Sequence, residues 1–90
     1  MEKKIYYKGI ARQTLSYLLI NNFIVPKINH HINRYGCYIT KSFKVASSYG
    51  DFVLILSLDV NRVVKSGHSS QLFYLGSIKR SDVADIRRIK

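Results

Sequence analysis

Tyr38 and Tyr49 are the residues of this chain best suited to holding a flat ligand. Tyr38 lies in Arg34-Tyr35-Gly36-Cys37-Tyr38-Ile39-Thr40, and Tyr49 in Ala46-Ser47-Ser48-Tyr49-Gly50. An aromatic face at either position can stack on a planar ring, and the order G-x-Y-x-T, then A-x-x-Y-G, is the most informative pattern in the sequence. The remaining chemistry is sparser. His30, His31 and His68 have ligand chemistry, but adjacent histidines in one loop rarely converge on one ion, and apart from Cys37 no thiol or carboxylate stands near them. No metal site is expected. Cys37 with His30 or His68 and Asp51 makes a nucleophilic set on paper, yet a lone cysteine in an apolar strand is ordinarily an inert core residue. Histidines among many Lys and Arg also suit the acid-base and phosphate roles of a small basic ribonuclease toxin, which stands as one alternative.

The elements that must position these residues follow from the hydrophobic pattern. Lys4 to Lys8 reads as a strand rich in aromatic and β-branched residues. A helix is predicted from Ala11 to Asn22, with Leu15, Leu18, Leu19 and Phe23 as its apolar stripe and Asn21-Asn22 as its end. Pro26 keeps Phe23 to Val25 extended. Lys27 to Arg34 has no clean period and is predicted to be a mobile loop. Cys37 to Thr40 is a second strand, and Ser42 caps a short helix through Ser48 whose core candidates are Phe43, Val45 and Ala46. The apolar run Phe52 to Leu58, interrupted at Ser57, reads as a central strand buried on both faces. Val60 to Val64 extends it or begins another strand, Lys65 to Ser70 turns, and Gln71 to Leu75 is a further strand ended by Gly76-Ser77. Ser81 or Asp82 caps a final turn, and Ile86 and Ile89 supply the last core contacts.

Ninety residues with one cysteine make a single domain, 1–90, without an internal disulfide. No stretch is apolar for long enough to span a membrane, so a soluble chain in a reducing, cytoplasmic compartment is expected. Fifteen Lys and Arg against five Asp and Glu give +10, enough to attract polyanions. Lys79, Arg80, Arg87, Arg88 and Lys90 form a terminal cluster, the expected contact face for a partner or for nucleic acid. Seven Tyr and four Phe among these bases permit stacking on nucleic acid, although their spacing is that of core residues and no dedicated recognition motif is present. Eleven Ile, nine Lys and seven Tyr without Trp is the usage of an AT-rich genome, such as that of a phage or other mobile element.

The segment Gly36-Cys37-Tyr38-Ile39-Thr40, followed by Ala46-Ser47-Ser48-Tyr49-Gly50, resembles the nicotinamide pocket of ADP-ribosyltransferases of the diphtheria-toxin and poly(ADP-ribose)-polymerase type. The order of elements resembles the smaller members of that family over most of the chain. This implies an α+β fold: a small split sheet, mixed or antiparallel, with two short helices. In the family a His-Gly pair ends the first strand and the His binds the adenosine ribose, a Tyr stacks on nicotinamide, and a Glu opening a later strand stabilises the oxocarbenium-like transition state. Carried over, Tyr38 is the stacking residue, Lys8 of Tyr7-Lys8-Gly9 stands at the His position, and the Glu position falls at Ser70 or Gln71. Gly9, Thr40 and Tyr49 complete the wall if NAD binds.

Neither replacement supplies the carboxylate that developing positive charge requires, and Glu2, Asp51, Asp59, Asp82 and Asp85 lie elsewhere in the pattern. The expectation is a non-catalytic basic binding or inhibitor module without a cofactor, docking on a larger protein or nucleoprotein. Some members of the family work without the Glu by borrowing a carboxylate from the substrate. An NAD-dependent mono-ADP-ribosyltransferase is therefore the alternative.

Overall fold

The apolar run in the middle of the chain organises the architecture. In the computed structural model, which describes residues 1–67 and 70–90, it forms strand β5 (Phe52–Asp59), with β1 (Lys3–Ile10) on one side and β9 (Val83–Arg88) on the other. β1 pairs antiparallel along its whole length, from Lys3 opposite Asp59 to Ile10 opposite Phe52, and β9 pairs with a register shift between Ile55 and Leu56. Leu54, Leu56 and Leu58 point into the main core with Tyr6, Ile10, Leu18, Ile39 and Ile78. Val53, on the opposite face, is also fully buried, so β5 is covered on both faces at its start, as a central strand should be.

A second sheet has the order β3 (Lys27–Asn29), β4 (Arg34–Ile39), β7 (Leu72–Leu75), β6 (Val63–Lys65), and β2 (Phe23–Ile24) pairs with β8 (Ile78–Lys79) in a ribbon. All these pairings are antiparallel, which resolves the mixed-or-antiparallel expectation. The α+β class with two helices, α1 (Arg12–Asn21) and α2 (Phe43–Ser47), is as expected. Neither helix is long and apolar enough to cross a membrane.

Among the described residues one isolated backbone bridge joins the two main sheets. The Tyr7 amide donates to the Thr40 carbonyl at 2.8 Å and the Thr40 amide donates back to Tyr7 at 2.9 Å. Beyond it the strands part. β7 occupies one edge of β4, so β1 and β3 share the other, β3 against Arg34 to Gly36 and β1 at Thr40 alone. The edge at Cys37 to Ile39 between them is where the sheet splits.

Several expectations need correction. Lys27–Asn29 is a strand, and only residues 30–33 turn, with Asn33 left-handed at φ 55°. Asn29 can be buried because both polar atoms of its side chain are bonded: Nδ2 donates to the Ser66 carbonyl at 2.9 Å, and Oδ1 accepts from the His31 amide at 2.9 Å. On α1, Leu18 is buried and Leu15 packs beside it, but Leu19 is exposed, because α1 lies on the core along a narrow line. Asn22 ends α1 in the left-handed conformation, its amide donating to the Leu18 carbonyl. On α2, Ala46 is buried while Phe43 is exposed and sets its ring edge on Tyr7, 5.7 Å between centroids. The Ser42 cap forms as read, its Oγ accepting from the Val45 amide at 3.1 Å. Asp82 closes a 3-10 turn, Arg80–Asp82, by accepting from the Lys79 amide. The chain then continues as β9, which the sequence pattern did not show; Ile86 packs on the core and Ile89 stays exposed.

The close approach of α2 to β1 depends on Gly9, where a Cβ would run into the Ala46 carbonyl and reach 2.9 Å from Tyr49 Cβ. Backbone cannot yield as a flexible side chain can, so Gly9→Ala is expected to cost about 1–3 kcal/mol in urea unfolding. A Gly9→Ala protein as stable as wild type would show that α2 does not sit this close.

Candidate functional site

The opening between the sheets is a cleft in two parts, of about 480 and 390 Å³. Lys8, Gly9, Tyr38 and Tyr49 line both parts; Thr40 and Gln71 line the smaller one. The structure therefore brings together, from β1, β4, the end of α2 and the approach to β7, six residues that the sequence reading singled out. Gly36 lets β4 pass close to β7, since a Cβ there would meet the Tyr74 carbonyl and the Phe73 ring.

Each residue sits in a distinct environment. Tyr38 is half-buried and packs edge-on against Phe73, 5.0 Å between centroids. Tyr49 is 52% exposed and so is no core residue; it stands at the cleft wall, its hydroxyl accepting from Gln71 Nε2 at 3.2 Å. Thr40 is buried, its Oγ1 accepting from the Ser42 amide at 3.1 Å. This joins the bridge residue to the N-cap of α2. Gly9 is accounted for by the packing of α2.

Lys8 spans the split. Its Nζ donates to the Tyr38 carbonyl at 2.9 Å, across the gap where backbone pairing stops. Burial pushes its pKa below the ordinary lysine value; Cys37 opposes this, and the positive charge of Lys27 adds to it. Cys37 is buried with its thiol 3.7 Å from the Gly76 carbonyl, and burial raises its pKa against the pull of Lys8. It remains a thiol, in keeping with the inert core reading. No Asp or Glu lines either part of the cleft among the described residues.

Sequence reasoning missed the far wall: Gln13, Thr14 and Tyr17 from α1, then Ile24, Val25 and Lys27. The available signal was Val25-Pro26, an extended segment that carries the chain from α1 to β3 past the split. His30 and His31 lie on the turn between β3 and β4 and do not line the cleft; His68 lies outside the described residues. Among the described residues no three His, Cys, Asp or Glu side chains gather as a metal site would require. Ser70 is exposed, and Gln71, the other candidate for the Glu position, is the one that reaches the cleft.

The terminal bases lie on different elements. Lys79 is on β8, Arg80 begins the 3-10 turn, Arg87 and Arg88 are successive residues of β9, and Lys90 follows. Successive strand residues point to opposite faces, so Arg87 and Arg88 do not form one contact. Arg87 is also occupied, its Nε 2.8 Å from Asp85 Oδ2, and this bond, with the Ile86 amide, holds the Asp85 carboxyl below the usual range. No family model, curated protein or solved structure matches the chain.

The lowered pKa of Lys8 has a consequence for stability. Between the folded pKa and the ordinary value of 10.5 the unfolded chain binds more protons, so the burial penalty of Lys8 is full at lower pH and is relieved as pH rises. Urea unfolding of wild type and Lys8→Met across this range is expected to show the difference moving in favour of wild type with increasing pH. A pH-independent difference would mean that the amine is solvated.

Proposed function

We propose that the chain is a non-catalytic, basic binding or inhibitor module on an ADP-ribosyltransferase-like scaffold, docking on a larger protein or nucleoprotein. The observation that carries this reading is the disposition of charge. Of the fifteen Lys and Arg, all but Lys8 are exposed, and among the described residues a single ion pair, Arg87 with Asp85, engages any of them. Almost the whole of the +10 acts outward, where it speeds encounter with an anionic surface and selects against cationic ones. A partner is ranked above free nucleic acid because a basic surface spread over several elements lacks the dedicated groove reader that sequence recognition uses. That no carboxylate lines the cleft among the described residues supports absence of turnover, because oxocarbenium-like charge would develop there beside the Lys8 amine with no carboxylate of the chain to stabilise it.

A mono-ADP-ribosyltransferase is the second reading, favoured by the gathering of Lys8, Gly9, Tyr38, Thr40, Tyr49 and Gln71 on one cleft. Calorimetry with NAD separates the two. No binding is expected at concentrations up to about 1 mM; micromolar affinity, with label transfer that Tyr38→Ala abolishes, would establish the second reading instead.

Docking by charge is tested by salt. Association with the anionic target is expected to weaken as salt rises and to survive nuclease treatment of the lysate from which the target is captured. If nucleic acid is the target, log K falls against log salt by about 0.9 per phosphate contact. Gln at Lys79, Arg80, Arg87, Arg88 and Lys90 is expected to flatten the dependence. Salt-resistant binding to naked DNA, unchanged by the five substitutions, would overturn the proposal.

A further inference from the structure

Lys8 differs from the other lysines in more than exposure. Its side chain lines both parts of the cleft, an open space of small-molecule size. A hydrogen bond to the Tyr38 carbonyl holds it, and among the described residues no lining carboxylate favours its protonated form. The larger part of the cleft is lined also by Ile10, Ile24, Val25, Tyr17 and Cys37, with Lys27 as a second cation on the wall. A lysine desolvated in a largely apolar site beside another positive charge is the arrangement that makes an amine nucleophilic.

We propose that Lys8 is a covalent ligand site, whose amine forms an imine with a small aldehyde or 2-oxo acid entering the cleft. The lone pair of neutral Nζ attacks the carbonyl carbon, and the C=O π pair moves to oxygen, which takes one proton from nitrogen to give a carbinolamine. Nitrogen then expels that hydroxyl, which leaves as water with the second amine proton. The step is a condensation without oxidation or reduction, and it reverses by hydrolysis. A proton taken up from solvent gives the imine nitrogen one N–H, a donor for the Tyr38 carbonyl that accepts from the free amine. Lys27 supplies the attraction for an acid group on the ligand, and burial of Cys37 keeps its sulfur as a thiol, out of competition for the carbonyl. The lowered pKa of Lys8 agrees with this assignment.

The site is separate from docking by the outer bases and is tested without a partner. Folded protein is treated briefly at neutral pH with limiting glyoxylate and cyanoborohydride, which reduces the imine to a stable secondary amine, and each lysine is quantified by peptide mass spectrometry. Lys8 is expected to carry at least about fivefold more adduct than the mean of the other lysines, and to lose that preference when the chain is unfolded in urea. Val25→Trp, which fills the cleft and leaves the amine in place, is expected to suppress labelling at Lys8 alone. Labelling of Lys8 at or below the mean in the folded protein, or a preference that persists in urea, would overturn the proposal.

Discussion

Two hydrogen bonds between Tyr7 and Thr40 are the point at which the two main sheets meet, and the cleft exists because pairing stops there. A backbone hydrogen bond contributes only about 0.5–1.5 kcal/mol net, so the bridge cannot hold the sheets together unaided. The core does that, through Leu18, Ile39, Leu54, Leu56 and Ile78 contributed from both sides of the split. The bridge sets geometry instead: it fixes where β1 and β4 are in contact and therefore where they separate.

Past the bridge, each local feature answers a need that the split creates. The carbonyl of Tyr38 lies on the β4 edge that β1 has left, and Lys8 bonds it from across the gap at the cost of burying an amine. Gly9 admits α2 against the back of β1, and Thr40 accepts from the start of α2 through its hydroxyl. Tyr49, at the end of that helix, is thereby set at the mouth of the cleft with Gln71. The distinctive chemistry of the protein, an amine of lowered pKa in an apolar opening, is thus a by-product of how the sheets are joined.

The sequence was most informative where one residue type served one purpose. The apolar run from Phe52 announced β5, Ser42 announced the cap of α2, and Asn22 the end of α1. Strands of two or three residues, β2, β3 and β8, carry too few positions to show an alternation, and Lys27-Ile28-Asn29 hides its pairing further because a polar residue, Asn29, points inward. β9 was missed for another reason: as an edge strand it exposes Ala84, Asp85, Arg87 and Arg88, so its composition reads as surface. For the site, Lys8, Tyr38, Tyr49 and Gln71 were found because the resemblance supplied a pattern, and the wall from α1 to Lys27 was missed because no pattern covers it. The charge of the terminal bases was legible, but their division between β8, a turn and two faces of β9 required the fold.

The central claim, that two sheets meet at Tyr7 and Thr40 and part immediately beyond, is tested most directly by amide hydrogen exchange resolved by NMR in the whole chain. The account requires the Tyr7 and Thr40 amides to exchange slowly, together with those of the β1 and β5 interior, and the amides of residues 30–33 to exchange fast. Fast exchange at Tyr7 and Thr40 within an otherwise protected β1 and β4 would mean that the sheets are not joined there, and the cleft, with Lys8 across it, would not exist as described.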